Sequence, residues 1–111
     1  MSQVTTHILD TSSGKPAEGV MIILYLGGND EWIELNRGLT NADGRLTGLV
    51  KQELLQQGIY KLRFETKDYF DKKQLKTLYP YVEIIFEIDS SEHYHVPLLL
   101  NPFGYSTYRG S

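Results

Sequence analysis

The sequence contains no cysteine, and this absence excludes disulfides, iron–sulfur clusters, thiolate metal sites and a cysteine nucleophile. Long apolar runs are missing too. The longest covers residues 20–26, far short of the roughly 20 residues that cross a bilayer as a helix. The first dozen residues lack the apolar stretch of a secretion signal. We therefore expect no membrane partner and a cytoplasmic location.

An excess of positive charge is also lacking. The chain has eleven lysines and arginines and fourteen aspartates and glutamates, which gives a net charge of −3. Such a chain has no general field that attracts a polyanion, so we expect no nucleic-acid partner. The sequence has no phosphate-binding glycine loop, no His-Glu-x-x-His motif and no Gly-x-Ser-x-Gly elbow. Any catalytic site must therefore be assembled from residues scattered along the chain.

What the chain does have is the composition of one globular domain, residues 1–111. Its length suits a single domain, and 41% hydrophobic with 23% charged residues is sufficient for a packed core. Short segments rich in β-branched and aromatic residues recur between clusters of Gly, Asn, Asp and Pro. This pattern is typical of an antiparallel sandwich or barrel, so the predicted fold class is mostly β.

Alternation of apolar and polar residues places the strands along the chain. Strands are predicted over residues 4–10, 19–26, 32–36, 58–66, 82–88, 93–100 and 105–109. The clearest is 82–88, in which Glu83 and Glu87 lie on one face and the other face is apolar, formed by Val82, Ile84, Phe86 and Ile88. Residues 41–44 predict a tight turn, which puts Arg45 at the start of a strand.

One short helix is predicted over residues 67–78. Tyr69, Phe70, Leu75 and Leu78 fit one face of a helix better than they fit alternation, and Pro80 then prevents continuation. Residues 53–57 could add a helical turn, although the segment is short.

Candidate catalytic side chains are few. The histidines are His7, His93 and His95, and the arginines are Arg37, Arg45, Arg63 and Arg109. His93 and His95 lie two residues apart on a predicted strand, so they share a face at a spacing that suits a metal. No cysteine or carboxylate-rich segment completes a ligand set, so we expect no metal site. An ordinary strand position remains the alternative for each histidine.

The segment 105–111 carries two tyrosines and an arginine where chain ends usually fray. One interpretation is an ordinary edge strand at the end of the chain. The alternative is a docked end, in which Tyr108 and Arg109 line a site.

Several motifs together resemble the 5-hydroxyisourate hydrolases, the transthyretin-related enzymes of purine degradation. The motifs are His7-Ile8-Leu9-Asp10, Gly14-Lys15-Pro16-Ala17, Asp43-Gly44-Arg45, residues 93–100 (HYHVPLLL) and residues 105–111 (YSTYRGS). The resemblance covers essentially the whole chain, and the last motif is the most diagnostic. Transthyretin, the hormone carrier with the same fold, is similar at residues 14–17 and 58–61 but lacks that motif and the histidine corresponding to His7. Asn101 departs from the family, which usually has a serine there.

The resemblance implies a Greek-key β-sandwich of seven to eight strands with one short helix. It also implies a homotetramer, a dimer of dimers, with active sites in the channel where dimers meet, and no cofactor. The residues that it implies for catalysis are His7, Arg45, His95 and Ser111. Those that it implies for substrate binding are His7, Arg45, Tyr108, Arg109 and Gly110.

The implied reaction is hydrolytic opening of 5-hydroxyisourate at an amide-like C–N bond, which yields 2-oxo-4-hydroxy-4-carboxy-5-ureidoimidazoline. It needs a base, a donor for the developing oxyanion and donors that orient a flat polar ring. Because an imidazole suits proton abstraction near neutrality, either His7 or His95 would activate water and the other would polarise the substrate. Arg45 offers a planar fork, and Tyr108 a hydroxyl and a ring. Ser111 brings a hydroxyl and the carboxylate of the chain.

Two other classes of function compete with a hydrolase. A ligand carrier of the transthyretin type predicts an apolar channel, whereas the residues above would make it polar. A structural immunoglobulin-like module predicts a monomer, and it gives no reason for the motif at 105–111.

Overall fold

The computed structural model describes residues 2–51 and 54–111, which form two β-sheets and one helix. In chain order the elements are β1 (Val4–Asp10), β2 (Lys15–Pro16), β3 (Met21–Gly28), β4 (Glu31–Leu39), β5 (Arg45–Leu46), β6 (Gly58–Phe64), α1 (Thr66–Lys72), β7 (Val82–Ile88), β8 (Tyr94–Asn101) and β9 (Gly104–Thr107). The mostly β prediction with one short helix is confirmed. Seven of these strands have four residues or more, and β2 and β5 have two each.

The strands divide into two sheets. The first sheet has the order β2-β1-β8-β9, with β5 also paired to β1, and the second has the order β4-β3-β6-β7. All neighbours are antiparallel except β1 and β8, which run parallel over seven paired residues from Val4↔Tyr94 to Asp10↔Leu100. The parallel pair departs from the antiparallel expectation. Parallel neighbours need a long crossover, and here almost the whole chain separates the two strands.

The core lies between the two sheets and is filled from both. In β1 the buried residues Val4, Thr6, Ile8 and Asp10 alternate with Thr5, His7 and Leu9 on the outer face. The largest fully buried side chains come from both sheets and the helix: Tyr60, Phe64, Phe70, Ile8, Ile22, Leu24, Leu62, Ile88, Leu98 and Leu100. Burial of this apolar surface is the main driving force for folding, and it fixes which face of each strand points outward.

The helix ends earlier than predicted. It begins at Thr66 and ends at Lys72, so its extension to residue 78 is wrong. Gln74 takes a positive φ of 58°, and the N–H groups of Gln74 and Leu75 donate to the carbonyls of Asp71 and Phe70. These two bonds close the helix as a Schellman motif, well before Pro80. No helix in the described part of the chain is long and apolar enough to span a membrane.

Other boundaries shift by a few residues. The strand predicted over 32–36 extends over Glu31–Leu39, and the predicted strand 58–66 stops at Phe64 because α1 follows at once. The strand predicted over 105–109 is Gly104–Thr107. Residues 52 and 53 lie outside the described residues, so the start of the possible helical turn at 53–57 does too, and its described remainder is not helical.

A buried polar contact ties the helix to the first sheet. The Tyr69 hydroxyl donates to Asp10 Oδ2 at 2.7 Å, and Asp10 Oδ1 accepts from the backbone and hydroxyl of Ser12. Burial opposes ionisation of Asp10, but these donors outweigh it and hold the pKa of Asp10 below its ordinary value. Burial and the neighbouring carboxylate raise the pKa of Tyr69, so its hydroxyl keeps its proton.

We expect Tyr69→Phe to lower the free energy of unfolding by about 1–3 kcal/mol, because it leaves a buried carboxylate without one of its donors. Urea unfolding at neutral pH measures the change. Tyr79→Phe is the control, since the Tyr79 hydroxyl makes no hydrogen bond to protein within residues 2–51 and 54–111. Equal, small losses in both variants would show that the Asp10 contact contributes little.

Candidate active site

The outer face of the first sheet carries a cluster of polar side chains. Register places Thr5 opposite His95 in the parallel β1–β8 pair, and His7 opposite Arg45 in the β1–β5 pair. Because side chains alternate along a strand, Thr5 and His7 emerge together on the face away from the core. They line an open cavity of about 370 Å³, whose walls are Thr5, His7, Arg45, His93, His95, Tyr108, Gly110 and Ser111.

Of the residues predicted for the site, the structure brings all but one to this cavity. His7, Arg45, His95, Tyr108, Gly110 and Ser111 lie along its wall. Arg109 does not. Its guanidinium donates to the backbone carbonyl of His93 at 3.1 Å and lies 4.3 Å from the centre of the Tyr94 ring. Both contacts hold the end of the chain against β8, so Arg109 is placed to anchor this segment.

Arg45 owes its position to the turn before it. The Asn41 side chain accepts hydrogen bonds from the backbone of Asp43 and Arg45, and the Gly44 carbonyl accepts from the Ile8 N–H at 2.9 Å. Gly44 has a φ of +72°, and a Cβ there would lie 2.5 Å from the Ile8 carbonyl oxygen. Only glycine fits this turn, which seats Arg45 beside β1.

Arg45 also differs from the other arginines in its partners. Arg37 pairs with Glu34, Arg63 pairs with Glu65 and Arg109 bonds the backbone. Among the described residues, the Arg45 guanidinium has no hydrogen bond or ion pair to protein. Its five donors are therefore available to a planar, polar or anionic ligand in the cavity.

Thr5 joins two of the histidines. Its hydroxyl oxygen lies 2.8 Å from His93 Nε2 and 2.8 Å from His95 Nδ1, and the two rings stack with centroids 6.3 Å apart. Sequence reasoning missed Thr5. The available signal was its spacing of two from His7, which puts both residues on one strand face.

The segment 108–111 packs against His95. The Gly110 N–H donates to the His95 carbonyl at 2.8 Å, and the two residues form an isolated antiparallel bridge beyond the end of β9. A Cβ at Gly110 would lie 2.5 Å from His95 Cδ2. The backbone approaches the imidazole this closely only because residue 110 is glycine. This segment is therefore docked against β8, with Tyr108, 57% exposed, at the cavity wall and Arg109 outside the cavity.

Burial and charge favour neutral imidazoles at the cavity. Burial, followed by the Arg45 guanidinium, lowers the pKa of His7, while hydrogen bonding to the Asp43 backbone and the Asp43 charge act in the opposite direction. Burial also lowers the pKa of His95, with further lowering from Arg45, His93 and His7, while hydrogen bonding to the Thr5 backbone acts in the opposite direction. Both rings are therefore mainly neutral near pH 7, the form that can accept a proton.

Ligands for a metal are not grouped here. Within residues 2–51 and 54–111, no set of three or more His, Cys, Asp or Glu side chains is placed to hold a metal ion.

Comparisons with known proteins agree on one family. The model of the HIUase/Transthyretin family matches residues 4–110. A 5-hydroxyisourate hydrolase of Halalkalibacterium halodurans is 48% identical, with 98% of each chain covered. The structure of Klebsiella pneumoniae 5-hydroxyisourate hydrolase superposes with a TM-score of 0.87 at 39% identity, covering 97% of this chain and 98% of that one. Sea bream transthyretin in complex with thyroxine superposes with a TM-score of 0.91 at 28% identity, covering 97% and 94%.

The role of Arg45 in the histidine pKa values is open to a direct test. Removing its charge in Arg45→Gln should raise the pKa of both His7 and His95, because a nearby cation disfavours the imidazolium. NMR titration of the ring signals measures both midpoints. Arg63→Gln, on the second sheet, is the control and should leave them unchanged. Unchanged midpoints in Arg45→Gln would show that Arg45 does not act on the rings.

Proposed function

The chain belongs to the HIUase/Transthyretin family, and from that premise we propose that it hydrolyses 5-hydroxyisourate to 2-oxo-4-hydroxy-4-carboxy-5-ureidoimidazoline. The observation that carries the proposal is the cavity itself, where two imidazoles of lowered pKa adjoin an arginine with no protein partner in the described ranges. Opening a cyclic amide needs a base, a proton for the leaving nitrogen and donors for the oxyanion. The cavity offers a group for each of these roles.

We assign water activation to His7. Hydrogen bonding to the Asp43 backbone favours a proton on one ring nitrogen, because a carbonyl oxygen can only accept. The other nitrogen of a neutral His7 is then a free lone pair. Because its pKa is lowered, His7 is in this form at neutral pH and can take a proton from water as the water attacks the carbonyl carbon.

His95 and Arg45 act on the other side of the reaction. With His7 as the base, His95 donates to the leaving ring nitrogen. The Arg45 fork binds the carbonyl oxygen or an anionic edge of the substrate, where its charge stabilises the tetrahedral intermediate. Arg45 also keeps both imidazoles neutral, so one side chain would bind the substrate and maintain the base.

The segment 108–111 closes one side of the cavity. Tyr108 and Ser111 bring hydroxyl groups to its wall, and Gly110 lies against the His95 ring. These groups would orient the substrate ring. Arg109 supports them from outside through His93 and Tyr94, so we assign it an anchoring role in place of direct substrate contact.

We further propose a homotetramer, built as a dimer of dimers. The edge strands β7 and β9 flank a second cavity of about 360 Å³, lined by residues 84–87 and 107–109 among others. Ile85 on β7 is 60% exposed, and Tyr105 on β9 is 45% exposed. Unpaired strand edges with apolar side chains pair readily with a second copy. The polar cavity is open toward solvent in one chain, and facing copies would enclose it.

A ligand carrier remains the rival because sea bream transthyretin, named for its thyroxine complex, shares the fold. A carrier of an aromatic ligand needs mainly apolar walls. The cavity on the first sheet is lined mostly by histidine, arginine and hydroxyl side chains, which favours the hydrolase.

Incubation with freshly made 5-hydroxyisourate tests the function directly, with ultraviolet decay measured against the spontaneous rate. We expect decay to be faster with the protein, and to stay so after chelation because the proposal assigns no step to a metal. His7→Asn and His95→Asn should each lower kcat by about 10²–10⁴-fold, the usual contribution of general acid–base catalysis.

Two comparisons sharpen that result. His93→Asn should lose less, because no direct step on the substrate is assigned to His93, and Arg63→Gln on the second sheet should behave as wild type. Equal losses at the three histidines would contradict the assigned roles. Decay at the spontaneous rate in wild type would refute the hydrolase.

Deletion of residues 108–111 tests the docked end. We expect a folded tetramer by sedimentation, since little core is lost, with turnover reduced by orders of magnitude. Gly110→Ala should reduce turnover in the same direction because its methyl group would collide with the His95 ring. Gly28→Ala is the matched control, where a Cβ meets nothing within 4 Å. Full turnover in the truncated tetramer would confine catalysis to His7, Arg45 and His95.

A further inference from the structure

The Thr5 hydroxyl lies between two imidazoles and can hydrogen-bond to both only in certain combinations of donor and acceptor. It lies 2.8 Å from His93 Nε2 and 2.8 Å from His95 Nδ1. A hydroxyl has one proton to donate, whereas it can accept two hydrogen bonds. At least one of the two facing ring nitrogens must therefore carry its own proton. The protonation of His93 and that of His95 are thus coupled through Thr5.

This coupling bears on the tautomer of His95. The Thr5 hydroxyl can donate or accept, so the tautomer of His95 can reverse if that of His93 reverses with it. His95 Nε2 has no protein partner in the described part of the chain, and the ring lines the cavity. A residue that donates a proton in each turnover must regain one, and a reversible tautomer at His95 allows this.

We propose that Thr5 and His93 form a proton relay that recharges His95, and that Thr5 is the positioning residue which sets the His95 tautomer. This inference rests on the proposed hydrolysis. Because His7 takes the proton of water, His95 must present an Nε2–H to the leaving nitrogen. Its Nδ1 is then bare and accepts from Thr5, and Thr5 in turn accepts from His93 Nε2–H.

The proton transfers balance along this path. As the scissile C–N bond breaks, the His95 Nε2 proton passes to the leaving nitrogen. The Thr5 hydroxyl proton passes to His95 Nδ1, and the His93 Nε2 proton passes to Thr5. His93, which is exposed, takes a replacement from solvent at Nδ1, so both imidazoles are neutral before and after. After product release His7 returns to solvent the proton that it took from water. The relay path then runs in reverse, with His95 Nε2 taking a proton from water in the cavity and His93 Nδ1 releasing one.

Thr5→Val and Thr5→Ser form the test pair, since the first removes the hydroxyl with little change of shape and the second keeps it. We expect Thr5→Val to lower kcat by roughly 10- to 100-fold with KM little changed, the size expected for loss of one partly buried hydrogen bond in the transition state. Thr5→Ser should retain most of the activity. Equal loss in both variants, or full activity in Thr5→Val, would overturn the relay.

A double-mutant cycle with His93→Asn asks whether Thr5 acts through His93. If it does, the double variant should be no slower than Thr5→Val alone, because the path is already broken. Losses that multiply would show that the two residues act independently, and the relay would fail.

Nitrogen-15 NMR of the histidine rings separates failure of the relay from failure of the proposed function, because it needs no substrate. In the free wild-type chain, at a pH where the rings are neutral, we expect the proton on Nε2 of both His93 and His95. In Thr5→Val both rings should become tautomer mixtures. A bare Nε2 at His95 in wild type, or identical spectra in the variant, would refute the relay even if the enzyme is active. The expected tautomers in a chain without hydrolase activity would refute only the function.

Discussion

The parallel ladder between β1 and β8 is the constraint on which the rest of the cavity depends. Seven residue pairs hold the two strands in one register, and that register sets Thr5 beside His95. A slip of one residue would turn His7 toward the core and Ile8 toward solvent, so the buried apolar residues enforce the geometry of the cavity. The turn at 41–44 and the segment 108–111 then add their side chains to a face that this ladder has already fixed.

The sequence predicted the structure best for strands that bury only one face, because apolar and polar residues alternate along them. The alternation in residues 4–10 and 82–88 predicted both strands, and the placement of His7 outside the core follows from the same alternation. The residues at 41–44 also predicted the turn before Arg45. These features depend on residues close together in the chain, which is why a single sequence reveals them.

Contacts between distant segments were beyond such reasoning. Nothing in residues 4–10 says that their neighbour is β8 or that the pair is parallel, and the Thr5 contacts depend on that choice. The helix end was missed for a different reason. Gln74 takes the left-handed conformation that usually signals glycine, so the sequence carried no visible stop before Pro80. The site residues came from family resemblance, and the pattern of strands alone did not select them.

The hydrogen bond between Thr5 and His95 joins residues 90 positions apart. Closing so long a loop costs chain entropy before any contact compensates it, and chains dominated by such distant pairings fold slowly. Strand partners in the second sheet lie closer along the chain, as in the β3–β4 and β3–β6 pairs. On a ribosome, the cavity therefore cannot form until β8 has emerged. A chain in which β8 has not yet paired with β1 lacks one wall of the cavity, so any function of this face requires the folded chain.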